Sequence, residues 1–74
     1  MAQNKIADKM PIWYSPDGEV VACTEKIKVM QQNLEELQQM AQDTFEDGVL
    51  MDIAPAQLKE FMLNLIHNLH NPYK

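Results

Sequence analysis

The sequence predicts an α+β fold, mainly α: an N-terminal β-hairpin followed by an antiparallel two-helix hairpin, a ββαα unit. Three observations predict it. The turn "SPDG" separates two short runs rich in aromatic and β-branched residues, "PIWY" and "EVVA". From Thr24 onward apolar residues recur with a helical period. A second helical stretch opens at Pro55, a residue suited to the first turn of a helix.

The hairpin is expected over residues 11–22. Pro16 presets φ at the first central position of a type I turn, Asp17 tolerates the second, and Gly18 takes the left-handed position that follows. A three-residue loop then pairs Ser15 with Glu19, Tyr14 with Val20, Trp13 with Val21 and Ile12 with Ala22. Alternation puts Ile12, Tyr14, Val20 and Ala22 on one face, the expected core side. Trp13 and Val21 fall on the outer face with Ser15 and Glu19.

The first helix is expected over residues 24–47, with Thr24 as cap and Glu25 favouring the positive end of the helix dipole. Ile27, Met30, Leu34, Leu37, Met40, Ala41 and Phe45 cover an arc of roughly 140°. Gly48 is the expected stop. The second helix is expected over residues 55–70. Ala54 is a weak cap, offset by a hydrophobic staple between Ile53 and Leu58. Its stripe is Leu58, Phe61, Met62, Leu65, Ile66 and Leu69; Leu63 projects about 140° away from Leu58. Residues 1–10 lack a clean period and read as a flexible tail, leaving 11–74 as a single domain.

Composition narrows the functional classes. A 74-residue chain buries only about 60% of its extended surface and needs support from a disulfide, a metal or another chain. One cysteine, Cys23, excludes an internal disulfide and suits a reducing compartment. A net charge of −5, with six basic residues scattered along the chain, is a poor footprint for nucleic acid. The opening "MAQNKIADKM" has no apolar h-region of a signal peptide, and no apolar run approaches the ~20 residues that span a bilayer. A cytoplasmic chain that binds neither membrane nor nucleic acid is the expectation.

Chemistry-bearing residues are few. Cys23, just before a helix N-terminus, could be a redox-sensitive thiol, but no base lies near it in sequence. "DTFEDG" (Asp43 to Gly48) matches positions 1, 5 and 6 of a calcium loop, yet Phe45 and Ala54 stand where oxygen donors belong. His67 and His70, spaced i, i+3, with Glu60 on the same face could bind a metal or small ligand if a second copy added donors. With two glycines in the chain there is no phosphate loop, and no Ser/His/Asp set or paired carboxylates at useful spacing exist. The expectation is a protein without catalysis, cofactor or metal.

Apolar residues that one copy leaves uncovered carry the sharper signal. Trp13 and Val21 on the outer hairpin face and Leu63 on the outer face of the second helix are the candidate partner-interface residues. A lone two-stranded hairpin is marginal and leaves two open edges. A homodimer serving as a protein-interaction or regulatory module follows.

The run "MPIWYSPDGEVVACTEKIKVM" (Met10 to Met30) and the closing "NPY" (Asn71 to Tyr73) resemble a group of small uncharacterised bacterial proteins, over nearly the whole chain after residue 10. That resemblance implies a bacterial, cytosolic protein and carries over no activity and no catalytic residue.

Overall fold

The computed structural model describes residues 9–73, so the expected flexible tail over 1–10 lies largely outside the described residues. Two helices are formed, α1 (Thr24–Leu50) and α2 (Pro55–His67). The chain divides into two compact units, Met1–Ala41 and Gln42–Lys74, with the boundary inside α1.

In the first unit the expected β-hairpin is not formed. Among the described residues there is no strand, only one isolated antiparallel bridge between Tyr14 and Val20. The fold is a helical hairpin, not ββαα. The turn itself is well made. The Gly18 N–H donates to the Ser15 carbonyl at 2.9 Å, and Gly18 sits at φ 88°. The Ser15 N–H donates to the Glu19 carbonyl and the Val21 N–H to the Trp13 carbonyl, each at 2.8 Å, bracketing Tyr14 and Val20 as a non-hydrogen-bonded pair. The Glu19 N–H also donates to Ser15 Oγ at 3.2 Å.

Pairing stops there for a physical reason. The Ile27 N–H already donates to the Cys23 carbonyl at 3.1 Å, so the second arm turns into α1 three residues after Val20. A two-stranded ladder this short, with no third strand, cannot hold itself. The side turned inward is also the opposite of the expected one. Trp13 and Val21 are half-buried, while Ile12, Tyr14, Val20 and Ala22 are exposed. Tryptophan brings the largest apolar area of any single side chain, and it is the one partly covered here.

α1 starts at Thr24, with the Cys23 carbonyl accepting its first bond. In the first unit its half-buried side is Ile27, Gln31, Leu34, Gln38 and Ala41, stepping by four and three residues. Met30, Leu37 and Met40, expected in the core stripe, are exposed instead. In the second unit the half-buried side continues through Gln42 and Phe45 to Gly48, the one buried residue among those described.

Gly48 does not end the helix as expected; α1 runs on to Leu50. The stop is built around Asp52, at φ 65°. The Ile53 N–H donates to the Gly48 carbonyl at 3.0 Å and the Asp52 N–H to the Val49 carbonyl at 3.1 Å, the paired bonds of a Schellman cap with Asp52 in the left-handed position. α2 follows with Pro55 in its first turn and the Leu58 N–H donating to the Ala54 carbonyl at 3.0 Å; Ala54 makes no side-chain cap bond. It ends at His67, three residues earlier than expected. Asn68 folds back on Asn64, whose carbonyl accepts from the Asn68 N–H at 3.0 Å and from Asn68 Nδ2 at 2.7 Å. The Asn71 side chain then accepts from the Tyr73 N–H at 2.9 Å, holding the turn around Pro72.

A non-glycine residue in the left-handed region costs roughly 1 kcal/mol. Asp52→Gly relieves that cost and removes an acidic group from the negative end of α1. We expect it to raise the unfolding free energy by about 0.5–1 kcal/mol, and Asp52→Val to lower it, both read from urea denaturation midpoints.

Candidate interaction surface

The contact that closes the helical hairpin is built on the missing side chain of Gly48. A Cβ placed there would overlap Leu58 Cδ2 and lie 3.6 Å from Leu58 Cγ and 3.8 Å from Ile53 Cδ1. Ile53 and Leu58, the two ends of the staple around the start of α2, thus converge on one notch in α1. Lys59, the next residue, sets its Nζ 5.4 Å from the centre of the Phe45 ring, one turn before Gly48. Such a cation–π contact contributes about 0.5–1 kcal/mol near the surface.

This closure covers little else. Leu58 and Met62 are half-buried. The other apolar residues of α2 (Phe61, Leu63, Leu65 and Ile66) are exposed, as are Val49, Leu50 and Met51 around the end of α1. Among the described residues no apolar side chain at all is buried. Of the three candidate interface residues, Leu63 stands 69% exposed on α2. Trp13 and Val21 are half-buried in the first unit. Among the described residues the Trp13 Nε1 is covered and has no hydrogen-bond partner.

The chemistry-bearing residues are not gathered. Among the described residues no three of His, Cys, Asp or Glu come together as a metal-holding group, so His67, His70 and Glu60 do not converge. Asp43 to Gly48 lies wholly within α1, and a helix cannot wrap its carboxylates round one calcium ion as a loop does. Cys23 is exposed and unpaired at the start of α1. No described helix is long and apolar enough to cross a membrane.

Sequence periodicity located the apolar residues of α2 but treated most of them as interior. The missed signal is length: α2 has 13 residues, enough to cover only one side of itself on the last turns of α1. No protein-family model, curated protein or solved structure matches this chain, so its own residues carry the functional reading.

Filling the notch tests the closure. Gly48→Leu forces α2 off α1 and lowers the unfolding free energy by about 1–3 kcal/mol. Gly48→Ala changes it by less than about 1 kcal/mol, because the Leu58 terminus can rotate away and alanine gains helix propensity. Thermal unfolding followed by circular dichroism distinguishes the two.

Proposed function

We propose that this chain is a non-catalytic protein-interaction module, cytoplasmic and homodimeric, that completes its hydrophobic interior with a second copy of itself. One observation carries the reading: among the described residues, Gly48 alone is buried and no apolar side chain is. Domains are stabilised by at least two packed layers around an apolar interior. Fully burying a leucine-sized side chain contributes about 1.5–3 kcal/mol, and among the described residues no apolar side chain gains it in full. An interface resembling a domain core cut in half is the mark of an obligate homodimer. The exposed, unpaired Cys23 suits a reducing compartment.

Sedimentation equilibrium tests this. The expected result is a mass of two chains at micromolar concentration, falling toward one chain on dilution. A single chain throughout, with cooperative unfolding, overturns the proposal.

A further inference from the structure

We propose that Asp17 is a modification site: its side chain closes on the Gly18 nitrogen and reopens as isoaspartate, while the matching pair at Asp47 and Gly48 stays intact. Both glycines of the chain follow an aspartate. In such a pair the glycine amide nitrogen attacks the aspartate Cγ. The carboxyl reacts in its protonated form, and its OH departs with the amide proton as water. A C–N bond forms, a C–O bond breaks, and the product is a cyclic imide. Water then adds back at either carbonyl of that ring. Opening at the side-chain carbonyl restores aspartate. Opening at the main-chain carbonyl leaves the chain running through Cβ, with a free α-carboxylate. Nothing is oxidised or reduced, and water is the only co-reactant. Glycine favours the closure because it has no side chain to crowd the ring and adopts the widest range of backbone angles.

The fold separates the two sites. Asp17 and Asp47 are both exposed, so access to the carboxyl group does not distinguish them. The glycine nitrogens do. Gly18 is exposed at φ 88°, and an atom at its Cβ position meets nothing within 4 Å, so the ring has room. Its N–H is held by one bond, to the Ser15 carbonyl at 2.9 Å, in a turn closed by a single bridge. Exposed turns of this kind open at little free-energy cost. Gly48 is buried inside α1, where its N–H is committed to the carbonyl one turn back. An atom at its Cβ position overlaps Leu58 Cδ2 and lies 3.8 Å from Ile53 Cδ1. The Asp47 carbonyl, which the ring would take in, accepts from the Met51 N–H at 3.0 Å. Closure at Asp47 therefore requires α1 to unwind and Leu58 to leave.

The modification changes the turn. Isoaspartate lengthens the main chain between Ser15 and Glu19. The bond from Gly18 to Ser15 and the register that pairs Tyr14 with Val20 both depend on that length. The bond from the Val21 N–H to the Trp13 carbonyl lies just beyond the bridge, and Trp13 is half-buried. Isomerisation thus loosens the arm that carries Trp13 and brings its indole further into water. The reaction occurs within one chain and needs no second copy.

The test ages the full native chain near neutral pH and follows both sites by peptide mapping, with electron-transfer fragmentation to tell isoaspartate from aspartate. Isoaspartate accumulates at position 17 at least about tenfold faster than at position 47. In a parallel sample unfolded in urea the two sites age at similar rates, because the same pair reacts with no fold around it. A carboxyl methyltransferase specific for isoaspartate, supplied with S-adenosylmethionine, labels the aged native chain. Asp17→Glu, whose longer side chain disfavours ring closure, removes most of that label. The emission of Trp13, the one tryptophan, moves to longer wavelength in the aged native chain and not in aged Asp17→Glu. Equal rates at the two positions in the native chain overturn the proposal. So does a position 17 that ages in urea and stays intact in the native chain. An isomerised chain with unchanged Trp13 emission overturns the loosening of the turn.

Discussion

Two helices side by side make a single layer, and a single layer has no inside. That constraint governs the second unit. The last turns of α1 and the 13 residues of α2 cover Gly48 fully, and Leu58, Met62 and Phe45 in part. Ordering each residue costs about 1–2 kcal/mol of backbone entropy, and folded chains offset it mainly by burying apolar area. Here the apolar area exists but lies on the surface. The first unit meets the same limit: a turn closed by one bridge and a helix leave Trp13 and Val21 only half-covered.

Within that constraint the connection between the helices is tightly specified. Asp52 takes the left-handed position that turns the chain, Ile53 closes the cap on the Gly48 carbonyl, and Pro55 sets the direction of α2. The staple from Ile53 to Leu58 then lands on the flat side of Gly48. Each residue serves both the turn and the packing. The close approach it allows is why α2 keeps its partly covered side at Leu58 and Met62.

Much of the local structure could be read from the sequence, because its causes are local. The starts of both helices, the turn at Pro16 to Gly18 and the convergence of Ile53 and Leu58 are marked by residues within a few positions, although Cys23 instead of Thr24 takes the cap position of α1 and Ala54 makes no side-chain cap bond. What could not be read depends on neighbours. Strand formation failed because α1 begins too soon after Val20 and no third strand is present. The inward side of the turn followed the bulk of Trp13, not the count of apolar residues on each face. Met30, Leu37 and Met40 read as core because periodicity weighs hydrophobicity alone, whereas the half-buried side of α1 admits Gln31, Gln38 and Gln42. Gly48 read as a stop because glycine is common there; its packing against Leu58 is visible only when α2 is in place. The candidate interface residues split for the same reason, Leu63 standing out on α2 while Trp13 and Val21 lie half-covered near the turn.

The proposed dimer would make folding and self-association of this chain a single equilibrium. Its most direct measurement is the thermal unfolding midpoint at two protein concentrations 100-fold apart, followed by far-ultraviolet circular dichroism. Mass action on a folded dimer of this size raises the midpoint by about 9 °C at the higher concentration. A midpoint that stays the same at both concentrations would contradict the account, since the chain would then be holding its fold alone.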